Sequence, residues 1–261
     1  MPADDARLGK SARAVIARVR ERQPVVHCIT AAVSMGLVAD GLLAGGARPL
    51  MTETLAEAPH LTTEADALVI NLGTLSTDAA AAIPATVEAA TSTGTAWVLD
   101  PTAIGKAPVR TPLAQRLLAF TPAIICANAS ETRALAGENH RGKGADSTSV
   151  PAEARGAAER LATRTGGAVT VTGAVDLILD ADRAGEVGLG DVLMSRVTGT
   201  GCLHTALAAA CAAVEDDPYT AAHAAATWLG AAGQRAGKVT RRPGTFRIAL
   251  LDAIDEVKDE S

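Results

Sequence analysis

The sequence predicts an α/β fold, a mainly parallel sheet with helices on both faces, built as one domain over residues 1–261. Three observations carry that expectation. Short β-type runs alternate with helical segments of roughly ten residues, and strands joined by helices pair in parallel. Apolar residues make up 48% of the chain, ample for a large core. Several apolar runs also stop in small, polar or acidic residues, and ligands of open α/β sheets gather at the carboxyl ends of strands.

The elements follow in order. PVVHCI reads as a strand, VSMGLVADGLLAGG as a helix ending at glycines, RPLM as a strand and DALVINLG as another. TDAAAAIPATVEAATSTG reads as a helix that its proline kinks or breaks. TAWVLDP is a strand, TPLAQRLLAF a helix and AIICAN a strand. SETRALAG and PAEARGAAERLATRTG read as helical, GAVTVTG and VDLILD as strands, and the last sixty or so residues as helices. The strand ends NLGT, LDP, ANASE, VTG and VTGTGC are therefore expected to share one cleft. GENHRGKGADST, residues 137–148, is the most loop-like interior stretch, and nothing reads as an interdomain linker.

Composition narrows the function. Twenty-four basic against 29 acidic residues give a net charge of −5 with no basic run, so the footprint of a nucleic-acid binder is missing. Aromatic residues are only 2%, which leaves few platforms on which bases stack. A nucleotide would be held mostly through its phosphates. No apolar run reaches the ~18–20 residues that span a bilayer, and the first twenty residues mix charges without an apolar core. A soluble cytoplasmic protein with no membrane partner is expected. The four cysteines form no C-x-x-C pair, and neither His27 nor His204 completes a metal-ligand spacing.

Residues 137–144, GENHRGKG, nearly spell a phosphate loop, but Gly144 stands where a hydroxyl should hold Mg2+ and a helix precedes it where the motif needs a strand. GTGCLH misses G-x-G-x-x-G by its last residue. Asp100 and Glu131 are carboxylates at the ends of successive strands and form a candidate Mg2+ pair, directly or through water. The plainer alternative makes Asp100 a helix N-cap and Glu131 a solvated first-turn glutamate. Cys202 follows two glycines at an expected helix start, where unpaired N–H groups favour an anion. The functional expectation is a thiol with a lowered pKa, a nucleophile or base beside an anion cradle, and the plainer one is a small core residue.

HCIT, VADGLLAGGARPLM, DALVINLGTL, VLDP, NASE, VTG, VTGTGC and RPGTFRIALLDA occur in an order and spacing that resembles the hydroxyethylthiazole kinases, from about Pro24 to Ile254. The resemblance implies a ribokinase-like, three-layer α/β/α sandwich around a mostly parallel sheet, assembled as a homotrimer with active sites between subunits. It implies transfer of the ATP γ-phosphoryl group to the primary alcohol of 4-methyl-5-(2-hydroxyethyl)thiazole, with Mg2+. Carried over, Met51, Gly199, Ala31 and Gly73 would face the thiazole. Cys126, Thr172, Asn128, Thr200 and Gly201 would lie at ATP, Asp100 and Glu131 would organise Mg2+, and Cys202 would accept the hydroxyl proton.

Two departures stand out against that pattern. The family usually reads HCITN, and Ala31 replaces the asparagine. It usually reads RGNASE, and Cys126 replaces the arginine expected at the phosphates. Arg133 and the basic residues Arg141 and Lys143 are the candidates to supply that charge instead. The competing readings are a hydrate dehydratase of the same fold, which carries aspartate where Cys202 stands, and a thiazole-precursor sensor without ATP turnover. A kinase with a shifted small-alcohol substrate is the third.

Overall fold

The computed structural model describes residues 8–138 and 150–257. Its eight-stranded sheet has the order β2-β1-β3-β4-β5-β6-β7-β8. These strands are β1 (Val25–Ile29), β2 (Arg48–Leu50), β3 (Ala67–Asn71), β4 (Ala96–Asp100), β5 (Ile124–Asn128), β6 (Ala168–Thr172), β7 (Asp176–Leu179) and β8 (Ala184–Val187). Strands β2 through β6 pair in parallel, and β7 and β8 close the edge as an antiparallel meander. The switch to antiparallel follows from connection length: the four or fewer residues after β6 and after β7 hold no crossover helix, so the chain turns back on itself.

Ten α-helices among the described residues cover both faces. One face carries α1 (Lys10–Arg22), α2 (Met35–Ala44), α8 (Thr200–Ala212), α9 (Pro218–Val239) and α10 (Pro243–Glu256). The other carries α3 (Ala58–Thr62), α4 (Thr77–Thr93), α5 (Arg110–Leu117), α6 (Ala129–Leu135) and α7 (Arg155–Thr165). The three-layer α/β/α sandwich is thus as expected. Helix α8 is alanine-rich and buried from Leu203 to Cys211, so it is sandwiched between the sheet and α9 rather than lying on the surface.

Local differences from the sequence expectation have physical causes. Helix α4 runs through Pro84. Its ends are fixed by Ser76, whose hydroxyl accepts from the Ala79 N–H, and by Gly94 in the left-handed conformation. Its buried face, Ala79, Ala82, Ile83, Thr86, Val87 and Ala90, offsets the lost backbone bond, a defect of about 3 kcal/mol in an isolated helix. Helix α1, helix α3 and strand β8 were not among the expected elements. PAEA starts as a 3-10 turn at Pro151–Ala154 before α7. The near-phosphate-loop residues 139–144, with Arg141 and Lys143, lie outside the described residues.

Candidate active site

Side chains alternate along a strand, so neighbouring residues face opposite layers. Ile29, Ile70, Leu99, Ala127 and Val171 enter the core under the layer of α3 to α7. One position later, Thr30, Asn71, Asp100, Asn128 and Thr172 face α8 at the carboxyl edge. The glycine turn before α8 completes the site: Gly199 has φ +97°, and a Cβ there would come within 2.7 Å of the Ser34 Cβ. This brings α8 down over the strand ends. A cavity of about 220 Å³ results, lined by Asp100, Thr102, Cys126, Ala127, Asn128, Glu131, Thr172, Gly199, Gly201, Cys202 and Thr205. A second cavity of about 370 Å³ shares Asn128 and Thr172 with it and has apolar walls of Val150, Pro151, Val175 and Leu177, with Glu186 among its lining residues.

Asp100 is 7% exposed and fully engaged. Asn71 Nδ2 donates to Oδ2 at 2.6 Å, the Thr102 hydroxyl to Oδ1 at 2.5 Å and the Thr205 hydroxyl to Oδ2 at 3.1 Å. Burial, then the charge of Glu131, push its pKa up to about 7 against the donors of Thr102 and Thr205. The N-cap alternative fails, because the next helix begins only at Arg110. Glu131 does cap: Asn128 Oδ1 accepts from the Glu131 N–H, and Glu131 Oε2 accepts from the Asn128 N–H. Its Oε1 accepts from Ala103 N at 2.8 Å, at a residue with φ +62°. The first-turn alternative is therefore right about its local geometry, yet Glu131 is only 8% exposed and also lines the cavity. Burial pushes its pKa up.

Two buried, mutually repelling carboxylates supply the charged oxygens of the cavity, beside the hydroxyls of Thr102 and Thr205 and the protonated thiols of Cys126 and Cys202. That pair fits Mg2+, which favours one or two carboxylates and retains waters and phosphate oxygens. Among the described residues no group of three or more His, Cys, Asp and Glu gathers to hold a metal outright.

Cys202 corrects one expectation. Burial, then the Asp100 charge, raise its pKa, although the Ser34 hydroxyl, the Asn71 amide and its own backbone N–H pull the other way. The helix start acts in the expected direction and is outweighed. Cys126 is buried beside Asp100, Thr205 and Thr170, and its thiol is pushed far up. Arg133 does not replace the missing arginine at this point: its Nε donates to Glu138 Oε2 at 2.7 Å, and Glu138 also receives Arg160.

Other candidates divide. Gly199, Gly201, Cys202, Cys126, Asn128, Thr172, Asp100 and Glu131 line the smaller cavity. A Cβ on Gly201 would meet no atom within 4 Å, so the backbone there is open to an approaching anion. The Thr200 hydroxyl turns away and donates to Met194 O at 3.0 Å. Ala31 and Gly73 abut each other beside Asn71 and Thr102 rather than lining the cavity. Met51 follows β2 and packs half-buried on the α8-side core, outside the cavity lining. Asn71 was expected only as part of the strand end NLGT, and Thr102, Thr205 and Ser34 were not singled out from sequence. A signal existed for Thr205, three residues after Cys202 on one helix face.

The hydroxyethylthiazole kinase family profile matches residues 16–260. A hydroxyethylthiazole kinase of Cronobacter sakazakii is 45% identical over 244 residues, 94% of this chain and 92% of that protein. One from Kineococcus radiotolerans is 44% identical over 92% of this chain and 88% of its own length. The solved structure of the hydroxyethylthiazole kinase protein from Pyrococcus horikoshii superposes with a TM-score of 0.87 at 34% identity, covering 96% of this chain and 94% of that one.

Proposed function

Because this chain belongs to the hydroxyethylthiazole kinase family, we propose that it transfers the γ-phosphoryl group of ATP to the primary alcohol of 4-methyl-5-(2-hydroxyethyl)thiazole in thiamin synthesis or salvage. The single observation that supports this most is the cavity in which Asp100, Glu131 and Cys202 meet beneath an open helix start. In the reaction the alcohol oxygen bonds to the γ-phosphorus, the bond to the ADP oxygen breaks, and the hydroxyl proton leaves. Phosphoryl transfer has a loose transition state, so alignment and charge neutralisation supply most of the acceleration.

Asp100 and Glu131 would hold Mg2+, which would supply charge neutralisation at the transferred phosphoryl group. The backbone N–H groups from Gly201 to Cys202 would meet the phosphoryl oxygens, and Thr172 and Asn128 would lie along ATP between the two cavities. The larger cavity suits the nucleoside, with apolar walls and the carboxylate of Glu186. Cys202 would take the proton late. Its raised pKa in the ligand-free protein owes part of its size to the Asp100 charge, so a cation at Asp100 lowers it.

A trimer with thiazole sites between subunits would bring Met51 to the substrate from a neighbour. Residues 1–261 are read as one catalytic domain. No helix among the described residues is long and apolar enough to cross a membrane. Cys126 in place of the expected arginine favours the sensor as second reading. The deciding experiment mixes purified protein with the thiazole alcohol and Mg2+-ATP and looks for the phosphate ester. Binding of both without product assigns the sensor instead.

A further inference from the structure

We propose that Asn71 is a positioning residue of this site, whose carboxamide fixes the Asp100 carboxylate in the orientation that receives the cation. The inference rests on the phosphoryl-transfer reading above. Asn71 ends β3 directly across from Asp100 at the end of β4, as a register pair of the sheet. Its side chain is buried, and both ends of its amide are engaged. The Gly73 N–H, which can only donate, reaches Oδ1 at 2.7 Å, and the Asp100 carboxylate accepts from Nδ2 at 2.6 Å. A donor on one side and an acceptor on the other leave a single orientation for the amide.

The other two donors to Asp100 are less constrained. Thr102 Oγ1 also lies 3.4 Å from Asn71 Oδ1, and Thr205 Oγ1 lies 3.2 Å from Gly201 O, so each hydroxyl proton has an alternative acceptor. Asn71 alone of the three is a planar donor pinned at its far end. A Cβ at residue 73 would come within 2.9 Å of Oδ1 and 3.0 Å of the Ala31 Cβ, so the turn of Ala31 and Gly73 is packed against the same amide. One side chain thereby ties the turn of Ala31 and Gly73 to the Asp100 carboxylate.

Two kinds of variant separate positioning from packing. Asn71→Asp keeps the size and the acceptor for Gly73 but replaces the fixed amide donor with a carboxyl group that shares a proton with Asp100. Asn71→Leu removes donors and acceptor at similar volume, and Asn71→Ala serves as a second donor-free variant if Leu does not fold. Melting curves and circular dichroism establish that each is native. In folded Asn71→Leu or Asn71→Ala, Mn2+ binding measured by electron paramagnetic resonance with a non-hydrolysable ATP analogue should weaken by about tenfold or more, the usual cost of losing a group that orients a metal ligand. In Asn71→Asp, kcat should fall by about 10–100-fold, while KM for the thiazole alcohol stays within about threefold because Gly73 remains held. Wild-type Mn2+ affinity in a folded donor-free variant, or wild-type kcat in Asn71→Asp, overturns the inference. Absence of phosphorylated alcohol from the wild type overturns the phosphoryl-transfer reading instead, and the Mn2+ measurement still decides the role of Asn71.

Discussion

The two faces of the sheet differ most within one residue of each other. Toward the layer of α3 to α7, Ile70, Leu99, Ala127 and Val171 are buried and apolar to the end of each strand. Toward α8, Asn71, Asp100, Asn128 and Thr172 crowd polar groups into a half-closed cavity, where burial pushes Asp100 up to about 7. The backbone geometry is the same, and strand parity alone assigns the chemistry. The apolar face gives stability from packing, while the α8 face holds a carboxylate in a form its burial disfavours. That is the usual relation between a scaffold and a functional site.

Substitutions on the α8 face should sharpen this contrast. The largest effect is expected from Asp100→Ala, a loss of about 10²–10³ in kcat with Mg2+-ATP, comparable to removing a group that stabilises transition-state charge. Steady-state kinetics over a range of Mg2+ checks it. Cys202→Ala should lose about 10², the low end for a general base, because the ligand-free thiol is held protonated. Replacement by Asp should retain or raise activity, since a carboxylate needs no deprotonation near neutrality. Unchanged turnover in Cys202→Ala would leave the residue as packing.

Cys126→Arg should tighten ATP by about ten- to a hundredfold, since a charge-assisted bond to phosphate is worth roughly 1.5–3 kcal/mol and Arg133 is committed to Glu138. Equal or weaker ATP binding would show that the guanidinium cannot reach the phosphates from β5. The smallest effect is on stability. Asp100 binds a proton more readily folded than unfolded, so without Mg2+ the melting temperature should fall as pH rises from 3.8 through about 7. Asp100→Asn should flatten that slope, and thermal melts at several pH values measure it.

The layers and most strands were legible because buried strands read as apolar runs and helices between them as periodic stretches. Strand β8, AGEV, escaped because it is a largely exposed edge carrying glycine and glutamate, with no alternation to read. Helix α3 has five residues and no room for a period. Helix α1 carried its signal in Ala12, Val15, Ile16 and Val19, a helical apolar stripe at the start of the chain. At the site, Asp100, Glu131 and Cys202 were legible as chemistry at strand ends and a helix start. Asn71 and Thr205 were not, because their importance lies in what they touch across 29 and 105 residues of sequence. The direction of the Cys202 shift was hidden for the same reason, as burial and the Asp100 charge are tertiary effects.

The central claim is that neighbouring residues on one strand divide the work, with Asp100 serving the reaction and Leu99 the core. Leu99 is fully buried. The most direct measurement takes Asp100→Ala and Leu99→Ala and records for each both the unfolding free energy and kcat per folded molecule. Leu99→Ala should lose about 2–5 kcal/mol of stability and keep kcat within about threefold. Asp100→Ala should lose kcat by the factor given above while melting no lower than the wild type near neutral pH. Comparable losses of kcat in both variants, or full activity in Asp100→Ala, would contradict the division between the two faces.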